Sequence, residues 1–181
     1  MTRPRPIQDS RASTRPSRSR HAGVPAKLAI EALATFKNVK RRMETKGVTK
    51  GVTVYDDFAH HPTAIATTIA GLRAKIGNAR LIAVLEPRSN TMKQGALKDQ
   101  LAGSLQEADQ VFCYSAGLGW DAAAVLAPLG AKVCVNDNFD ALVSQIAGVA
   151  RAGDHVLIMS NGDFGGIHDK LLAQLAHDSP R

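Results

Sequence analysis

The chain is poor in cysteine. Cys113 and Cys134 are the only two among 181 residues, too few for a disulfide framework, and both fall inside apolar runs that read as strands. That is the setting of buried, reduced thiols in a cytosolic protein. No apolar run approaches the roughly 20 residues that a bilayer span requires. No charged start followed by an apolar stretch marks a secretory signal, so the cytoplasm is the expected location and no membrane partner is expected. Aromatic residues are scarce as well, at 4% of the chain, and residues 1–20 contain none.

The net charge of +7 is concentrated in that first segment. Arg3, Arg5, Arg11, Arg15, Arg18 and Arg20 face a single acid, Asp9, so residues 1–20 carry +5 and the other 161 residues only +2. A basic binding face on the fold itself is therefore not expected, and without aromatic rings to stack on bases the tail is a poor nucleic-acid arm. Arg, Ser and Pro dominate residues 1–20, with Ile7 the sole large aliphatic besides Met1. Such a segment cannot bury a core and is expected to be disordered. Its prolines also spoil the amphipathic helix of a transit peptide.

The remainder is 44% hydrophobic over the whole chain, enough for one globular domain. Residues 24–36 have the apolar spacing of a short helix after Pro25. Residues 38–55 read as an edge hairpin or a pair of short strands. Ile65, Ile69, Leu72 and Ile76 follow helical spacing, and Leu97, Leu101 and Leu105 mark another helix. Short apolar runs at 81–85, 111–114, 132–135 and 155–159 read as strands, separated by helices at 121–129 and 138–151 and followed by one at 167–176. Strands that are apolar on both faces and alternate with helices indicate a parallel sheet covered on both sides. The expected fold is α/β and Rossmann-like: a mostly parallel sheet with helices on both faces and an N-terminal antiparallel edge hairpin.

Four turns fall where such a sheet binds ligands, at the carboxyl ends of its strands. Residues 56–62, DDFAHHP, place two carboxylates and two imidazoles at a strand-to-helix turn, with Arg41 and Arg42 expected beside them. A helix cap at Asp57 or His61, with Pro62 in the first turn, explains one of these residues. A divalent metal ion is an alternative, and ligand binding accounts for more of them. After the 81–85 strand, Glu86-Pro87-Arg88-Ser89-Asn90 offers an Arg able to clamp a carboxylate through paired hydrogen bonds. After the last strand, residues 160–168 carry Gly162, Gly165 and Gly166, which let a backbone approach a ligand closely. Residues 117–122, GLGWDA, fit the G-x-G-x-x-A dinucleotide pattern. They follow the third parallel strand rather than the first, and Asp121 would repel a pyrophosphate while serving well as a cap.

FKNVKRRME (36–44), YDDFAHHPTAI (55–65), LEPRSNTMKQG (85–95) and MSNGDFGGIHDKLL (159–172) together resemble the C-terminal domain of the Mur ligases. They are most similar to the ligases that join UDP-N-acetylmuramate to L-Ala-γ-D-Glu-meso-diaminopimelate in bacterial peptidoglycan recycling. The resemblance implies an ATP-dependent ligase, with Mg2+, in which ATP activates the carboxylate as an acyl phosphate and the peptide amine attacks it. It implies that Arg42 reaches the ATP phosphates, Asp57 the nucleotide ribose, and that His60 lines the same pocket. Arg88, Ser89 and Asn90 would bind the tripeptide, and Asn161, Gly162, Phe164, Gly165 and Gly166 would form its second wall. The partner domains of such an enzyme are the N-terminal UDP-sugar domain and the central ATP domain.

No G-x-x-x-x-G-K-[ST] phosphate loop occurs in the chain, so catalysis by this chain alone and tight ATP binding are not expected, and no metal ligands are assigned to it. Residues 37–181 are expected to form the C-terminal domain and 21–36 to be the last helix of the central domain. Residues 1–20 depart from the family pattern and are expected to be an artefact or a frame-shifted segment. Two other functions compete: a nicotinamide-dinucleotide module of a dehydrogenase built on 117–122, and an interaction protein using the basic tail.

Overall fold

In the computed structural model the described residues are 40–177, with Gly23, Pro25, Lys27 and Leu28. The tail over 1–20 and most of the helix expected over 24–36 lie outside them. The compact unit Lys40–Arg181 opens with β1 (Glu44–Thr49) and β2 (Val52–Asp57). Lys50 and Gly51 connect these strands at φ +48° and +79°, the paired left-handed conformation whose twist suits a two-residue hairpin. Next come α1 (Pro62–Ile76), β3 (Leu81–Leu85), α2 (Asn90–Lys93), α3 (Leu101–Ser104), β4 (Gln110–Tyr114) and α4 (Ala122–Leu126). β5 (Val133–Asn136), α5 (Phe139–Val149), β6 (His155–Met159) and α6 (Ile167–His177) complete it.

The six strands form one sheet in the order β1-β2-β6-β3-β4-β5. Only the β1–β2 pairing is antiparallel; β2–β6, β6–β3, β3–β4 and β4–β5 are parallel. The expected Rossmann-like sheet with its edge hairpin is thus the observed one. Its centre, β3, is buried at all five residues, as a strand with helices on both faces must be. Leu81, Ala83 and Leu85 pack with Ile65, Ile69 and Leu72 of α1 and Leu101 of α3. Ile82 and Val84 pack on the opposite face with Leu142 and Ile146 of α5 and Leu171 of α6. Each of the fully buried aliphatics on α1 stabilises the fold by about 2 kcal/mol relative to exposure.

Three expectations need correction. β2 runs on through Asp57, so Asp56 and Asp57 are buried strand residues rather than turn residues. The helix expected through Leu97, Leu101 and Leu105 is a 3-10 turn at Lys98–Gln100 followed by the four-residue α3. Leu101 and Leu105 keep their buried places, but the Ser104 hydroxyl bonds the Leu101 carbonyl at 2.7 Å, a local bond that competes with helix continuation. Finally, only Cys113 is fully buried, and burial pushes its thiol up to about 12. Cys134 is half-buried because β5 is an edge strand with a partner on one side only.

Candidate functional site

Successive strand residues point to opposite faces of a sheet, and this separates the two carboxylates at the end of β2. Asp57 faces α1 and is 2% exposed. Its Oδ2 accepts from the Met43 backbone N–H at 2.8 Å, and its Oδ1 accepts from the Ala59 N–H at 2.7 Å and the Thr68 hydroxyl at 3.3 Å. Asp56 faces α6, where Oδ2 receives the Arg41 Nε at 3.1 Å and His168 Nε2 stands 3.3 Å from Oδ1 without hydrogen-bond alignment. Burial alone would raise the Asp56 carboxyl, but the His168 ring and the Arg41 guanidinium beside it hold it below the ordinary range.

Arg41 does lie beside this turn, as expected. Its Nη2 donates to the Ser160 carbonyl at 2.7 Å, its guanidinium sits 5.3 Å from the centroid of the Phe58 ring, and its own carbonyl accepts the Phe58 N–H at 2.9 Å. Arg41 and Met43 both have positive φ, +58° and +50°, which costs energy for residues with a side chain. The acceptors around them offset that cost: Glu44 takes the Arg41 N–H at 3.0 Å, and Asp57 takes that of Met43.

The imidazoles go elsewhere. His60 Nδ1 is 2.9 Å from the Phe58 carbonyl, and the ring meets Phe58 and His61 edge-on at 5.2 and 5.9 Å. A nitrogen facing a carbonyl must carry the proton, which leaves Nε2 as the atom for any further partner. His61 occupies the N-cap position of α1 without a side-chain cap bond, and Pro62 opens the helix. The four polar side chains therefore do not converge. Among the described residues no group of three or more His, Cys, Asp or Glu could hold a metal ion. Arg42 is exposed.

The turns after β3 and β6 do converge. Glu86 extends the ladder by donating its N–H to the Met159 carbonyl at 3.1 Å. The buried Ser160 hydroxyl bonds Glu86 Oε2 at 2.5 Å and accepts from the Gly162 N–H at 3.0 Å. Arg88 then lies across Gly162, where an added Cβ would collide with Nη1, and pairs through Nη1 with Asp163 Oδ1 at 2.9 Å. That hydrogen bond holds the Asp163 carboxyl below its usual value. Asn161 Oδ1 is buried with no hydrogen-bond partner, an arrangement that usually costs free energy. Arg88, Asn161 and Gly162 are thus brought together.

The other residues assigned to the peptide play mixed parts. Ser89 caps α2 through a bond from the Met92 N–H at 3.3 Å, and the exposed Asn90 opens that helix. Phe164 is buried, its ring 5.8 Å from Tyr114 and 6.1 Å from Phe139. Gly165 fits under the Phe139 ring, 3.1 Å from where its Cβ would be, and Gly166 at φ +70° leads into α6. Sequence reasoning overlooked Glu86, Ser160 and His168 as organisers. All three stood inside candidate turns, but only strand order brings those turns together.

The dinucleotide-like stretch closes on itself. Asp121 Oδ1 accepts from the Ala123 and Ala124 N–H groups at 2.9 and 3.1 Å, placing a carboxylate where a pyrophosphate would have to sit. Gly119 and Trp120 instead bond the carbonyls of Lys93 and Met92. The dehydrogenase alternative has no support.

Comparison with known proteins gives a consistent result. A family model described as Mur ligase, glutamate ligase domain, matches residues 41–162. The UDP-N-acetylmuramate–L-alanyl-γ-D-glutamyl-meso-2,6-diaminoheptandioate ligase of Escherichia coli (strain K12) is 53% identical over 165 residues, 87% of this chain and 35% of the relative. The ligase of the same name from Haemophilus influenzae is 49% identical over 157 residues, 86% of this chain and 35% of the relative. The crystal structure of a murein peptide ligase from Psychrobacter arcticus 273-4 superposes with a TM-score of 0.73 at 41% identity, covering 92% of this chain and 36% of that one. The chain spans about 35% of the length of the curated relatives it matches.

Proposed function

The chain belongs to the Mur ligase family, and from that premise we propose that it is the peptide-binding C-terminal domain of a murein peptide ligase. The whole enzyme would join UDP-N-acetylmuramate to L-Ala-γ-D-Glu-meso-diaminopimelate in the bacterial cytoplasm, as part of peptidoglycan recycling. One observation carries the assignment of the peptide to this domain. Arg88 reaches across Gly162 from the turn after β3, so that both turns present one surface, and its Asp163 partner is exposed and exchangeable. A peptide carboxylate can replace the Asp163 carboxylate on Arg88 with the same hydrogen-bond geometry. Ser89 and Asn90 follow Arg88, while Asn161, Gly162, Gly165 and Gly166 form the opposite wall, which the buried Phe164 supports from behind.

ATP and Mg2+ belong to the full-length enzyme, the Mur ligases being ATP-dependent as a family. In the whole enzyme ATP would supply the phosphoryl group that activates the muramyl carboxylate, and the residues of this chain would act only by holding the nucleotide on one side. Arg42 is exposed and suited to a phosphate oxygen, and His60 offers Nε2. Asp57 already accepts three internal hydrogen bonds, so its part is to shape the turn that a ribose would meet. The phosphate loop and metal ligands would come from the central domain, and the sugar nucleotide from the N-terminal domain. Closing the domains assembles the site from both sides.

An amide-resolved NMR titration of the chain tests the reading. L-Ala-γ-D-Glu-meso-diaminopimelate should shift resonances at 88–90 and 161–166, and NAD on the same sample should shift none. Shifts confined to 117–122 with NAD would overturn it.

A further inference from the structure

The loop at 117–122 is left without a role by the ligase reading, yet its inward contacts go to one place. Trp120 donates from Nε1 to the Met92 carbonyl at 2.6 Å, and Gly119 donates its backbone N–H to the Lys93 carbonyl at 3.1 Å. Both acceptors belong to α2, the four-residue helix that Ser89 caps and Asn90 opens. A helix this short does not hold itself in water, and the carbonyls of its last turn have no partner within it. Here the Asn90, Thr91 and Met92 carbonyls take the N–H groups of Gln94, Ala96 and Gly95, and Trp120 and Gly119 add a second donor to Met92 and a donor to Lys93 from another part of the fold. The indole also packs against Gly95, where a Cβ would stand 3.1 Å from Trp120 Cδ1, and against the core cluster that contains the buried Met92. A Cβ on Gly119 would crowd the Lys93 carbonyl oxygen at 3.2 Å, so the close approach of the two backbones favours glycine there.

We propose that the 117–120 loop is a buttress of the peptide site: Gly119 and Trp120 hold the carbonyl end of α2 and thereby set the position of Ser89 and Asn90, and with it the affinity for the peptide. The inference rests on the assignment of Ser89 and Asn90 to the tripeptide. Gly119 and Trp120 are positioning residues that touch α2, not the ligand. What resembles a dinucleotide pattern is then a loop in which Gly117 turns the chain at φ +72° and Gly119 allows close approach to a neighbouring backbone.

The test compares the chain with Trp120→Phe, which keeps a ring and removes the N–H donor. In the unliganded proteins, amide hydrogen exchange should quicken in the variant at 92–95 and stay unchanged in β3 and β6. Calorimetric titration with L-Ala-γ-D-Glu-meso-diaminopimelate should show about fivefold weaker binding, the effect of one net hydrogen bond. Trp120 is the single tryptophan of the sequence, so its emission in the unmodified chain should also change during the titration, a readout that survives if the variant does not fold. Equal peptide affinity in the two proteins would reduce Trp120 to core filling and overturn this inference alone, as would binding heat without any change in emission. An unmodified chain that takes up no peptide overturns the peptide reading, and this inference with it.

Discussion

Two Arg–Asp pairs of nearly equal length both reach the turn that follows β6 and do opposite things. Arg41–Asp56 is 3.1 Å long with side chains 29% and 6% exposed, whereas Arg88–Asp163 is 2.9 Å long with side chains 47% and 83% exposed. The first is tied to His168, the Ser160 carbonyl and the Phe58 ring, so neither partner can leave without stranding the other in a poorly solvated place. The second is open to water, and either partner can exchange it for a ligand. Buried pairs are costly to break because the remaining charge is uncompensated, while exposed pairs contribute little. Burial, not distance, separates the pair that builds the site from the pair that can be used by it.

The sharpest break in the buried region should come from Asp57→Ala. It removes the acceptor of two backbone N–H groups and one hydroxyl, and unfolding free energy measured in urea should fall by about 3 kcal/mol or more. Acid comes next. The Asp56 carboxyl is depressed in the folded state, so its stabilisation is present above the unfolded value near 4 and is lost as pH falls through the folded value. The urea midpoint should therefore drop below about pH 4, and Asp56→Asn should flatten that drop while lowering the midpoint at pH 7. An unchanged acid limb in the variant would mean that Arg41 and His168 do not favour the charged form.

In the exposed region the expected effects move from stability to binding. Arg88→Ala should weaken tripeptide binding at least about tenfold, the loss of a charge-assisted hydrogen bond, while leaving the urea midpoint in place. A large stability loss in this variant would erase the distinction between the pairs. The smallest effect is expected for Asp163→Asn: no measurable change in melting, and peptide binding equal or slightly tighter because Arg88 loses a competing anion. Weaker binding would make Asp163 a ligand contact instead.

Much of this was legible along the chain. The apolar runs at 81–85 and 155–159 announced fully buried strands, Ile65, Ile69 and Leu72 announced the face of α1, and Asp121 announced a cap, because each rests on periodicity or chemistry within a few residues. The turns carrying Arg88 and Asn161–Gly166 were equally visible as strand-end loops. Arg41 was expected beside the 56–62 stretch, but the approach of His168 to Asp56 was not, since that residue is 112 positions away in the chain.

The sequence by itself determined the fold class, the family and the candidate loops at the strand ends, since these depend on local pattern and motif. Only the tertiary structure decided which polar groups are available. Adjacent Asp56 and Asp57 part to opposite faces because β2 extends through both, and the turns of β3 and β6 meet because those strands are neighbours in the sheet although 69 residues separate Leu85 from His155 in sequence. Direction within a pleat and adjacency across a sheet are properties of strand pairing, and pairing is set by the packing of the whole domain.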